Sequence, residues 1–352
     1  MRLQDAAMPD EIQSTPIGPR WRLPLFALIF ISLTAIGLAV VYRDVANEGL
    51  VFDRRLLQPG FLAAAAALLL LHWYTDGARL HYTLRALGHD IPPTGMVKLV
   101  FINLFFSNIT PLVTGGGFAQ IWYLRRLGVP VGTGTSATTI RTMIVMVLIF
   151  AATPVLLLVI PRLQDVPLRG QFLFYLLLIL LAYLAFFGFA LLRPQWLLAP
   201  THGLLKGMRW LRMISSRRHR DWRFAAEREL LHFARGFRDY FRGGWGNVLL
   251  SLANSVLYLV TLFSFPALIL VALGYEIDWF LVLGLMTVLT FIMYFSPTPG
   301  AAGIAEGVFG FLFADLAQAS HLLLVVVAWR FLSAHLGMLI GAVITHREVA
   351  RG

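Results

Sequence analysis

The 352-residue chain has no cysteine, and only two of its basic residues, Lys98 and Lys206, are lysines. Without cysteine there can be no disulfide, thiolate metal site or cysteine nucleophile. Charge is scarce too: 13% of residues are charged against 58% hydrophobic, and mean hydropathy is +0.74. Soluble domains rarely look like this, whereas polytopic membrane proteins do. The sequence has no GxxxxGK[ST] phosphate loop, and its nine histidines form neither His-x-x-x-His nor His-Glu-x-x-His. No metal and no cofactor are therefore expected. "GGGFAQ" has two glycines of GxGxxG but a glutamine where the third should stand, and no strand precedes it. The polar N-terminus up to Arg20 has three prolines and no small-residue cleavage site behind a short apolar core, so no removable signal peptide is expected.

What the chain does have is apolar runs. Full spans are expected at about 23–42, 60–80, 134–160, 171–192, 246–272 and 321–345, each near the 20 residues that a hydrocarbon core of about 30 Å demands. Two further stretches, 96–126 and 279–316, are interrupted by Pro and Gly at 111–117 and 297–303. Each reads as two half-helices joined by irregular backbone, a re-entrant hairpin, or else as a pair of kinked full helices. Irregular backbone survives at membrane depth only where protein or water satisfies it.

The formal net charge is +11. Its arginines gather in loops, which favours the anionic membrane surface as partner over nucleic acid. The N-terminus, 79–98, 124–132, 193–243 and the C-terminus carry 22 Lys/Arg, against 5 in the opposite loops. The 22 side is expected to be cytoplasmic, which makes the chain a multi-pass protein of the cell membrane with both termini in the cytoplasm. The two arginines left over, Arg141 and Arg330, fall inside spans.

The chain then divides into a cytoplasmic tail (1–22), a membrane domain (23–346) and a short tail (347–352). The membrane domain holds two repeats, about 23–160 and 171–346, each reading span, span, hairpin, span with opposite orientation. Spacing supports the repeat. Thr110-Pro111 opens one break and Thr298-Pro299 the other, followed by Gly115, Gly116 and Gly117 or by Gly300 and Gly303. Gln120 or Glu306 stands a turn later, and the in-span arginine comes 30 residues after Pro111 and 31 after Pro299. The expected fold is all-α: six full spans, two re-entrant broken-helix hairpins and an inverted repeat, as in many secondary transporters. Half-helix N-termini aimed at the midplane beside two arginines would make an anion receptor.

"NITPLVTGGGFAQIWYLRRLG", "TIRTMIV" and "FSPTPGAAGIAEGVFGFLF" together resemble the lysylphosphatidylglycerol synthase transmembrane region, the flippase-like or UPF0104 family, over about 20–346. Fused relatives in that family carry a cytosolic aminoacyltransferase domain, and the resemblance implies that their membrane part flips the lipid product. This chain ends at Gly352 without such a domain, so synthase activity is not expected. It also reads Thr-Gly-Gly-Gly-Phe-Ala-Gln where the fused branch is similar to Pro-x-x-x-Gly-Glu-x-x-Arg, which counts against an aminoacyl-lipid substrate.

Candidate substrate-binding residues are Glu306, Arg330, Arg141, Gln120, Asn108, Thr110, Gly115, Gly116, Gly117, Thr298, Pro299, Gly300 and Gly303; no catalytic residue is assigned. Arg330 lies ten residues into its span, about 14 Å deep at 1.5 Å per residue. At that depth it should face the interior with a partner, for which Glu306 is the obvious carboxylate. The pair either locks the hairpin or binds a substrate phosphate, and Glu306 could instead carry a coupling proton. Arg141 either joins this site or snorkels to the cytoplasmic interface. Gln120 and Asn108 serve a headgroup or the hairpin backbone. The three consecutive glycines should permit positive φ and close packing. Asp76 and Arg79, three apart, read as a solvated ion pair.

Within 193–243, Trp222, Ala226, Leu230, Phe233, Phe237 and Tyr240 stripe one face of an arginine-flanked amphipathic helix that suits lipid or protein packing. Three functions stand open: a translocator of an anionic or phosphate-bearing lipid, a membrane enzyme acting on a lipid phosphate, and a non-catalytic partner of a separate lipid-modifying enzyme.

Overall fold

The computed structural model describes residues 53–110, 114–163, 235–242 and 244–350, with isolated positions elsewhere. The expected spans 23–42 and 171–192 lie outside the described residues except at such isolated positions, as do Trp222, Ala226 and Leu230. What is described is helical, with no strand among those residues.

The helices are α1 (Pro59–Ala86), α2 (Pro93–Ile109), α3 (Thr114–Arg126), α4 (Val131–Val159), α5 (Trp245–Ala272), α6 (Trp279–Met293), α7 (Ile304–Phe313), α8 (Ala319–Arg330) and α9 (Leu336–Ala350). Among the described residues, four helices are long and apolar enough to cross a membrane: α1, α4, α5 and the run Ala319–Ala350. That run joins α8 to α9 through a π-helical turn, Phe331–His335. Proline opens α1 and α2, where its missing N–H leaves no hydrogen bond unmade. Asp278 caps α6 by accepting from the Phe280 and Leu281 amides at 2.8 and 3.3 Å.

Both interrupted stretches are pairs of short helices. The first break is narrower than expected: α3 already begins at Thr114, so all three glycines are helical, and none of them has positive φ. The second keeps a true irregular segment between Met293 and Ile304, holding a short 3-10 turn, Pro299–Ala301. Left-handed backbone occurs here, at Gly300 (φ 56°), Gly303 (φ 84°) and the non-glycine Ala301 (φ 55°). Such geometry carries strain for an L side chain and persists only when its surroundings enforce it.

α1 packs along α5, and α4 touches both. α2 is clasped between α3 and α9, and the 3-10 turn of the second break also rests on α2. Gly337 and Gly341 let α9 approach α2 closely: a Cβ on Gly341 would collide with the Phe101 carbonyl, and one on Gly337 would meet Leu104 Cδ1 at 2.7 Å. This is the small-xxx-small packing that membrane helices use when no water is present to drive association. A larger core joins α4 to α8 around Phe150, Phe265, Phe309 and Phe313. A second core links α2 and α3 and takes in Ala302 of the second break.

Candidate functional site

At the second break the polar groups close on one another. The Glu306 carboxylate accepts from the Gly303 amide at 2.6 Å, and its other oxygen meets Arg330 Nε at 2.6 Å. Arg330 Nη2 also donates to the Gly300 carbonyl at 3.1 Å. The Thr298 hydroxyl donates to the Ala302 carbonyl at 2.9 Å, and Pro299 starts the 3-10 turn. Glu306 is 0% and Arg330 3% exposed, so the pair faces the protein interior. Phe309 stacks on Trp329 (centroids 4.7 Å), fastening α7 to α8 beside the pair. The arrangement is charge-neutral, and it hydrogen-bonds the very backbone that the break exposes.

At the first break Asn108 Nδ2 donates to the Leu104 carbonyl at 2.8 Å. The Thr110 hydroxyl donates to the Phe106 carbonyl at 2.7 Å and accepts from the Gly115 amide at 2.9 Å. Both side chains therefore serve backbone at the end of α2, and Thr110 also serves the start of α3. The three glycines differ. A Cβ on Gly116 would collide with Ser107 Oγ and Asn103 Oδ1, one on Gly115 would meet Thr110 Cγ2 at 2.5 Å, and one on Gly117 would meet none of the described residues within 4 Å. Gln120 is 1% exposed, and neither end of its carboxamide has a hydrogen-bond partner among the described residues.

The largest departure from expectation concerns Asp76 and Arg79. They are not a solvated pair; they are 2% and 5% exposed and lie inside α1, which runs on to Ala86. Arg79 Nε and Nη2 donate to Asp76 Oδ1 at 2.9 and 2.5 Å. Arg141, from α4, does not snorkel. It is 6% exposed and donates through Nη1 to the same oxygen at 3.2 Å. Arg79 lies over the Tyr258 ring of α5, 3.7 Å from its centroid, a cation–π contact in a desolvated setting. His72 stacks on Tyr258 and shares a hydrogen bond of 3.1 Å with Thr261. One turn further on, the Thr83 hydroxyl donates to the Arg79 carbonyl at 2.7 Å and lies 2.8 Å from the Ser251 hydroxyl, from which it can accept.

The structure thus pairs Glu306 with Arg330 as expected and gives Arg141 a separate carboxylate, Asp76. Sequence reasoning missed Asp76, Arg79 and Tyr258 because the apolar run stops at the first charges while the helix does not. A usable signal was present: Asp76 and Arg79 sit between Thr75 and Thr83, both buried, whose hydroxyls bond back to helix carbonyls. The amphipathic stripe ends in protein contact: Phe237 and Tyr240 are buried against Ala86, Ile140 and Val248. Segment 235–242 therefore covers the end of the α1–α4–α5 junction.

Comparison with known proteins finds one family. The sequence pattern of the lysylphosphatidylglycerol synthase TM region matches residues 22–341. A "UPF0104 membrane protein" of Archaeoglobus fulgidus is 24% identical over 288 residues, 80% of this chain and 84% of the relative.

Proposed function

The chain belongs to the lysylphosphatidylglycerol synthase transmembrane-region family, and on that footing we propose that it carries a phospholipid, or another lipid-linked anion, across the cell membrane. One observation carries the reading: among the described residues, the buried charges are three guanidiniums and two carboxylates, Arg79, Arg141 and Arg330 against Asp76 and Glu306. Charge inside a membrane domain is costly, from about 2.5 kcal/mol for a central arginine, and marks substrate paths more often than it serves stability. Further support comes from the second break, whose 3-10 turn rests on α2, the helix that leads into the first break. Re-entrant hairpins in an inverted repeat would bring both breaks to a site that opens alternately to each side. Gln120, buried with its amide unanswered, would face the headgroup, while Glu306 and Arg330 hold the second hairpin in shape. Both termini would be cytoplasmic; cysteines placed at Ser14 and Arg162 should then label from opposite sides of intact cells, and labelling from one side would overturn that orientation.

The test of translocation is reconstitution. Purified full chain in liposomes holding an NBD-labelled phosphatidylglycerol should let external dithionite bleach well beyond the outer-leaflet half. A plateau equal to that of protein-free vesicles, for anionic and zwitterionic NBD-lipids alike, removes the translocator reading.

A further inference from the structure

We propose that Arg141 and Arg79 form a seat for a singly charged phosphate group at the junction of α1, α4 and α5. The inference rests on the translocation reading for its biological use but on separate atoms for its chemistry. Three guanidinium nitrogens converge on one oxygen, Asp76 Oδ1. Among the described residues the single carboxylate cannot neutralise both cations, so the cluster carries one surplus positive charge on side chains that are all buried. Tyr258 eases Arg79 through its ring face. Arg141 has less: its Nε is buried and has no hydrogen-bond partner among the described residues. The same holds for Asp76 Oδ2.

These two unanswered atoms define a ligand. A guanidinium edge with a free N–H selects a phosphate or similar oxyanion, because its planar donors match that geometry. A surplus of one charge selects a monoanion, such as a phosphodiester, over a dianion or a zwitterion of zero net charge. The free carboxylate oxygen adds an acceptor for a hydroxyl or amine carried next to the phosphate. The Glu306–Arg330 pair offers no such surplus.

The seat is tested by titrating the full chain, purified in dodecyl maltoside, with dioleoyl phosphatidylglycerol, dioleoyl phosphatidylcholine and sodium phosphate in turn. Native mass spectrometry and thermal unfolding provide the readouts. Phosphatidylglycerol is expected to bind at least about tenfold more tightly than phosphatidylcholine, and R141Q should lose that preference. R54Q, at an exposed arginine outside the cluster, should keep it. R141K, which retains the charge but not the guanidinium edge, covers the case in which R141Q does not fold, and should also bind phosphatidylglycerol about tenfold more weakly. Stabilisation by sodium phosphate with phosphatidylglycerol inert, lost in R141Q, supports the phosphate seat and removes lipid as its source. Equal affinity of the wild type for both lipids, or unchanged phosphatidylglycerol binding in folded R141Q and R141K, overturns the seat. Arginine-dependent binding without dithionite-detected translocation leaves the seat standing and sinks the translocator instead.

Discussion

In the second half of the molecule Arg330 meets a carboxylate one helix away, on α7; in the first half the matching position holds Gln120, and Arg141 must reach to Asp76 on α1. Asp76 is already engaged by Arg79. The second centre is therefore closed, with one charge of each sign and its oxygens on Arg330 and the Gly303 amide. The first is open: among the described residues it has an extra cation and two buried atoms unanswered. Two arginines at matching spacing can thus play different parts: one fastens the fold, while the other is left needing a counter-charge.

The largest effect expected is at the open centre. Asp76→Asn would leave two buried guanidiniums facing each other without a carboxylate, at a cost near the upper end of the about 3–5 kcal/mol typical of a broken buried pair. Arg141→Gln removes only the surplus charge and should cost far less. Thermal unfolding in detergent measures both; equal losses would break the distinction between the centres. Next in size is the closed centre. Glu306→Gln takes from Arg330 the carboxylate it meets and should cost about 3 kcal/mol, whereas Glu306→Gln/Arg330→Gln should regain much of it. A double variant no more stable than the single would mean that the pair is not the self-contained lock its geometry describes.

The two breaks also differ in how their glycines are used. The second needs left-handed backbone at Gly300 and Gly303; the first needs bare helix surface. Gly116→Ala should therefore cost about 2 kcal/mol by overpacking against Ser107 and Asn103, seen as a lower unfolding midpoint. Gln120→Leu works in the opposite direction. Removing a buried amide with no partner among the described residues should raise stability by about 1 kcal/mol in detergent, and should lower the dithionite-detected transport if the amide serves a headgroup.

How much of this was legible beforehand follows from the range of the forces involved. The runs 134–160, 246–272 and 321–345 announced α4, α5 and the last long helix because hydropathy is local. The two interruptions were legible for the same reason, since Pro and Gly act on their own backbone. The Glu306–Arg330 pair could be guessed because few carboxylates lie in apolar sequence. Asp76 with Arg141 could not, since the partners are 65 residues apart and only packing of α1 against α4 brings them together. Taking Arg79 out of the loop count lowers the basic bias by one and leaves its sign unchanged. The Gly337–Gly341 spacing was in plain view, yet its meaning depends on the Phe101 carbonyl of another helix.

The smallest expected effect separates the consecutive glycines of α3. Gly117 has helical backbone, and a Cβ there would meet none of the described residues within 4 Å. Alanine loses less chain entropy than glycine on entering a helix, so Gly117→Ala should stabilise by about 0.5–1 kcal/mol. That gain has the opposite sign to the loss at Gly116, one residue away, because the two Cβ positions point to different sides of the helix: one into α2, the other into open space. The open space is where the comparison sharpens. If Gly117 only completes the helix, the variant should melt higher and move NBD-lipid at the wild-type rate, and Gly117 leaves the set of headgroup residues. If the headgroup passes against that bare surface, the same variant should melt higher and transport more slowly. A variant that melts lower would mean that the surface facing Gly117 is already occupied, and the first break would then be as closed as the second.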